Sequence, residues 1–153
     1  MDFYNNSYAE IISETVFEFA INPAKKDTDY LIFSEKIFKP IYCCQPFILS
    51  GNPFSLKKLK EFGFKTFDKW WDESYDNIVD NSERILAVYK LVKSLVSKTN
   101  EEWDELNKKL LPILEYNREH LLSFTEEKVG NTYVENLNKL IEHEPNTKNY
   151  FLF

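Results

Sequence analysis

Glycine is scarce in this chain: Gly51, Gly63 and Gly130 are the only three in 153 residues. So few leave no material for a P-loop or a G-x-G-x-x-G phosphate cradle, which removes kinases, P-loop NTPases and dinucleotide folds of the usual type. Cysteine is equally sparse. The two present, Cys43 and Cys44, are adjacent; they are too few for a disulfide framework and lack the C-x-x-C or histidine spacing of a zinc site. They read as buried thiols of a reducing compartment. The two histidines, His120 and His143, fall outside any H-E-x-x-H or other ligand spacing, so structural roles are expected for both and no metal site. Nor is there a nucleophile elbow. Positive charge is in deficit, with 19 Lys and Arg against 25 Asp and Glu, a net charge of -6 and a pI near 5.0. A general nucleic-acid binder needs a basic face, so nucleic acid is not expected as a partner. The start, MDFYNNSYAE, has no basic segment followed by an apolar one. No run approaches the roughly 18 apolar residues of a membrane span. These two absences predict no membrane partner and a cytoplasmic protein.

What the chain does have is apolar and aromatic mass, 43% and 16% of its residues, enough to bury the core of one domain over residues 1–153. Its character changes near residue 80. The first 80 residues read as an α/β core: a β-branched and aromatic strand over residues 8–19, then the polar connection NPAKKDTD, then YLIF. Ser34 is placed as an N-cap with Glu35 in the first turn, so a helix is predicted to open there, and Pro40 should kink or shorten it. The run PFIL has the length of a buried strand, and Asn52-Pro53 is read as the start of a helix through SLKKLKEF that stops at Gly63. Strand, helix, strand, helix is the signature of a small parallel sheet.

Residues 81–153 read as a helical extension that covers this core. Asp80 to Glu83 and Thr99 to Glu102 fit capping boxes. The stripes that follow are Ile85, Val88, Tyr89, Val92, Leu95 and Val96, then Trp103, Leu106, Leu110 and Ile113. Pro112 should bend or break the second of these helices. A last helix is predicted from Thr132 to about Ile141, and the apolar tail must dock on this domain or on a second copy of the chain.

Ser34-Glu35-Lys36 is the triplet best placed for chemistry, at a strand-to-helix junction of the kind where α/β sheets hold ligands. A helix N-terminus offers backbone donors to an anion, Lys36 adds a point charge suited to phosphate, and Glu35 can accept from a ribose diol. The bland alternative is an N-cap followed by two solvated charges. Elsewhere, Trp70, Trp71, Asp72, Glu73 and Tyr75 form an aromatic and acidic cluster after a short predicted strand, KTF. Neighbouring tryptophans point in different directions, so at least one belongs to the core. Lys57, Lys58, Lys60 and Lys65 make a basic edge, read as a solvated helix face.

The stretch from Tyr30 to Gly51 resembles the donor-binding motif of fucosyltransferase-like GT-B glycosyltransferases, through Tyr30, Ser34, Glu35, Lys36, Pro46 and Gly51. The longer run, SEKIFKPI, QPFILSGNP, SLKKLKEFGFKTFDKWWDESYD and SERI, resembles glycosyltransferase-like proteins of tailed phages over roughly residues 7 to 122. The resemblance implies the Rossmann-like, nucleotide-sugar-binding half of a GT-B fold, with Glu35 on the ribose and Lys36 on the diphosphate. It also places Glu14, beside Thr15, at the end of the preceding strand, facing the donor. The site it implies is Ser34, Glu35, Lys36, Glu14 and Tyr30, with a nucleoside diphosphate or nucleotide sugar as ligand, no cofactor and no catalytic residue. The family's acceptor half and its upstream donor-phosphate arginine have no counterpart here, so a domain not active alone is expected. A small viral interaction protein that inhibits a host defence factor by direct binding or by nucleotide sequestration, in the host cytoplasm, is the alternative, and an oligomerisation module is a third reading.

Overall fold

The computed structural model describes residues 7–14 and 33–127, the side chains of residues 124–127 excepted. In chain order these form β1 (Glu10–Ser13), α1 (Glu35–Tyr42), β2 (Phe47–Ser50), α2 (Ser55–Glu61), a 3-10 turn (Ser74–Asn77), α3 (Asn81–Val96) and α4 (Asn100–Glu127). β1 and β2 pair in parallel, from Glu10 opposite Phe47 to Ser13 opposite Ser50. Among the described residues the protein is thus mixed α/β, with a two-stranded parallel sheet and four α-helices. Tyr30, the segment 132–141, His143 and the tail lie outside the described residues. Within them, no helix is long and apolar enough to cross a membrane.

The local signals place the helix ends well. Ser34 has extended backbone and its hydroxyl accepts from the Lys36 amide, so α1 opens as predicted. It ends at Tyr42, soon after Pro40, whose missing N–H weakens the ladder. Asp80 caps α3 by accepting from the Glu83 amide at 2.9 Å. At α4 the capping box is reciprocal: Thr99 Oγ1 accepts from the Glu102 amide at 3.2 Å, and Glu102 Oε2 accepts from the Thr99 amide at 2.8 Å. Pro112 does not break α4, which runs continuously to Glu127. Gly63 stops α2 at a φ of 92°, with its own amide donating to Lys60 O and the Phe64 amide to Leu59 O. This is a Schellman ending, and the positive φ is what requires glycine.

Three expectations are corrected by contacts between distant residues. Asn52 does not cap α2. That helix opens at Ser55 after Phe54, which has a φ of 67° and no side-chain cap. The cap comes from the 3-10 turn, where Asp76 accepts from the Leu56 amide at 2.8 Å and the Lys57 amide at 3.0 Å. Burial pushes the Asp76 carboxyl above the ordinary carboxylate range, and these amides pull the other way.

The segment Lys65-Thr66-Phe67 is not a strand. Instead Asn117 of α4 pairs with the Lys65 backbone like a neighbouring strand, accepting from its amide and donating to its carbonyl, both at 2.8 Å.

The third correction concerns α3, which turns Arg84, Val88, Leu91 and Leu95 inward and leaves Ile85, Tyr89 and Val96 exposed, the last two at 59% and 76%. Arg84 lies at the start of this inward face. It is 1% exposed and donates from Nε to Gly51 O at 3.0 Å, and from its Nη atoms to Ile78 O, Val79 O and Asn81 Oδ1. A charged group can be buried when such acceptors receive its donors.

The second stripe fares better, with Trp103 and Leu110 buried and Leu106 and Ile113 packed against the core. α1 packs on α4, and α3 lies against β2. Phe47 and Phe67 meet edge to face at 5.0 Å in the centre. Trp71 belongs to that core and Trp70 lies at its margin.

Candidate functional site

β1 and β2 run the same way, so Ser13-Glu14 and Ser50-Gly51 leave the sheet at one edge, and α1 begins at that edge. Glu14 is 8% exposed. Its Oε2 accepts from the Ser34 amide at 3.4 Å, twenty residues away, while Oε1 is buried with no hydrogen-bond partner. Lys36 reaches back from the first turn of α1, and its Nζ donates to Ser13 O at 3.1 Å. Glu35 is exposed beside it. The structure therefore brings Glu14, Ser34 and Lys36 together and keeps Glu35 on the rim.

Gly51 is what lets Glu14 fold in against β2. A Cβ on Gly51 would stand 3.3 Å from Glu14 Cγ and from Ser55 Oγ, closer than ordinary packing. Behind Gly51, its carbonyl is held by Arg84. Next to it, Asn52 is buried and its Oδ1 has no hydrogen-bond partner. Two buried acceptor oxygens, one anionic, thus stand at this edge. Buried polar atoms are nearly always satisfied, so such oxygens call for donors other than those of the described residues, water among them.

The helix start is less open to anions than its sequence predicts. The Ser34 amide is turned to Glu14 and the Lys36 amide to Ser34 Oγ, at 3.4 and 3.3 Å. These bonds are long for N–H to oxygen, so exchange with a ligand oxygen costs little.

Two site features escaped the sequence. Arg84 lies in the SERI run, but nothing local distinguishes it from a solvated helix charge. Asn52 was legible only as a helix cap. Of the aromatic and acidic cluster, Glu73 is structural: it accepts from Thr66 Oγ1 at 2.6 Å and the Phe67 amide at 2.8 Å. The basic edge is partly paired, with Lys60 on Asp68 at 2.8 Å and Lys58 on Glu61 at 3.3 Å. Among the described residues no group of three or more His, Cys, Asp or Glu is placed to hold a metal ion. Comparison with protein-family models, with curated proteins and with solved structures returns no match.

Proposed function

We propose that the carboxyl edge of the β1–β2 pair is a binding site for a nucleoside diphosphate or nucleotide sugar, in a domain of Rossmann-like, glycosyltransferase-derived character that binds rather than catalyses alone. One observation carries this reading: Glu14, Ser34 and Lys36 meet where both parallel strands end, with Glu14 Oε1 buried and without a hydrogen-bond partner. Ligands of parallel α/β units sit outside the carboxyl ends of the strands. In this assignment Lys36 faces the diphosphate as a point charge, and the Glu14 and Glu35 carboxylates accept from sugar hydroxyls, with Asn52 Oδ1 as a further acceptor. The motif from Tyr30 to Gly51 supports the same roles.

A thermal-shift screen with nucleoside diphosphates and nucleotide sugars at millimolar concentration tests it. Ligand at about 100 times its Kd stabilises the folded state by about 2.7 kcal/mol, a readable shift. Lys36→Ala should abolish the shift, and Glu14→Gln, which keeps the shape and removes the charge, should reduce it. No shift with any ligand would sink the proposal.

A second reading, a protein-interaction module, has its own observation. Ile85, Tyr89 and Val96 are exposed along α3, and exposed apolar stripes mark interaction surfaces. That reading survives a negative nucleotide screen.

A further inference from the structure

The opposite edge of the sheet holds a cavity of about 670 Å³. Ser7 and Tyr8, which lead into β1, and Gln45 and Pro46, which lead into β2, form one side of it. The other wall belongs to α4, whose Asn100, Asp104, Asn107, Leu111 and Leu114 recur at alternating spacings of four and three and so share one helix face. The carboxyl end of α1, at Cys43 and Cys44, completes it.

The chemistry of this wall has one sign. Among the described residues, Asp104 is the only ionised side chain that lines it, and no Lys, Arg or His does. Asn107 Oδ1 is buried with no hydrogen-bond partner. The Gln45 amide nitrogen donates to Ser7 O and to Ser7 Oγ, so it is directed to the chain rather than to the cavity. α1 ends here, and a helix carboxyl terminus carries the negative end of the macrodipole. The Cys44 thiol is held up by burial first of all, with Arg118 pulling it down and Glu115 up; it stands as a neutral wall 3.9 Å from Leu114 O. Arg118, which acts on that thiol, stands over the Tyr42 ring, and Lys108, a turn further along α4, is an opposing charge that feels Asp104 but does not line the cavity. Tyr8 is stacked on Trp103 with centroids 5.4 Å apart, which fixes an aromatic ring at the rim.

We propose that this cavity binds a small organic cation, an alkylammonium or alkylguanidinium, with its charged head between Asp104 and Asn107 Oδ1 and its chain along Leu111, Leu114 and Pro46. A charged donor satisfies the unpartnered amide oxygen and the carboxylate together, and an aromatic rim favours a cation further. The volume is within the range of small-molecule sites, roughly 300–1,000 Å³. The site is independent of the nucleotide edge, at the other end of both strands.

The test is an amide-resolved NMR titration of the full chain with putrescine and with n-butylguanidinium, with n-butanol and butyrate as uncharged and anionic controls. Saturable shifts are expected in Tyr8, Cys44, Gln45 and the Asn100 to Leu114 face. Asp104→Asn, at an exposed position, should weaken binding by about tenfold or more, about 1.4 kcal/mol. Asn107→Leu should weaken it by a comparable factor. Glu105→Gln removes a neighbouring carboxylate that pairs with Lys108 at 2.8 Å and does not line the cavity; it should leave Kd within about twofold. Lys36→Ala should also leave it unchanged, which separates this site from the nucleotide reading. Lack of saturation, equal weakening by Asp104→Asn and Glu105→Gln, or equal binding of butanol would each overturn the proposal.

Discussion

Removing the Asn117 side chain should expose how much of the fold depends on one amide. Asn117 is 1% exposed and joins α4 to the Lys65 backbone by two hydrogen bonds of 2.8 Å. Asn117→Ala leaves the Lys65 amide and carbonyl without partners, at about 1–2 kcal/mol for each group, so a loss of about 2–4 kcal/mol is expected. With a urea m-value of about 2 kcal/mol/M, the unfolding midpoint should fall by about 1–2 M at unchanged m. Asn117→Asp sharpens the test. Its carboxylate still accepts from the Lys65 amide, but its other oxygen faces the Lys65 carbonyl, acceptor against acceptor, unless a proton sits between them. The folded-state pKa is then raised above the ordinary Asp value of about 3.9. A carboxyl with a raised folded pKa binds its proton more tightly when folded, so stability falls as pH rises through that window. Relative to the parent chain, Asn117→Asp should therefore be close to neutral at about pH 3 and as damaging as alanine at about pH 7. Urea unfolding followed by fluorescence of the buried Trp71 and Trp103 reads both. A loss under about 0.5 kcal/mol for Asn117→Ala, or a pH-independent difference for Asn117→Asp, would refute the reasoning.

Two other predictions concern the same region. Burial raises the Glu73 carboxyl, outweighing its bonds from Thr66 and Phe67 and the Lys60 ammonium at 3.6 Å, so the parent chain should lose stability relative to Glu73→Gln as pH rises from the usual carboxylate pKa upward; parallel unfolding curves across that range check it, and a constant difference would contradict it. At Gly63, a Cβ would meet His120 Nε2 at 2.6 Å on a backbone with φ of 92°, while that nitrogen is 2.7 Å from Phe62 O. Gly63→Ala should cost about 2–4 kcal/mol from left-handed strain and the displaced imidazole. Adding His120→Ala should cost less than the sum of the two single changes, and strict additivity would show that the ring and Gly63 are not coupled.

The candidate edge shows the same division between near and distant contacts. Ser34, Glu35 and Lys36 are contiguous, so their place at a helix start could be read directly. Glu14 could be placed only through resemblance, and its contact with the Ser34 amide exists because β1 and β2 pair in parallel and Gly51 has no side chain in the way. Asn107 and Asp104 carry no local signal that separates them from other polar positions of a helix. Their place on a cavity wall is decided only where α4 meets the amino ends of the strands.

Helix starts and stops were legible because a cap is a local device. Ser34, Asp80, the Thr99–Glu102 box and the Gly63 ending each involve residues within a turn or so of one another, and hydrogen-bond geometry at that range follows from residue type. The α/β order was legible for a related reason, since strand and helix periodicities differ within a few residues. Which face of α3 turns inward was not. Apolar content favoured Ile85, Tyr89 and Val96, but the inward face carries Arg84, whose donors reach the carbonyls of Gly51, Ile78 and Val79 across the fold. Asp76 on α2 and Asn117 on Lys65 follow the same rule. In each case a polar group finds its partner across the fold, and chain separation carries no information about that until the backbone is in place.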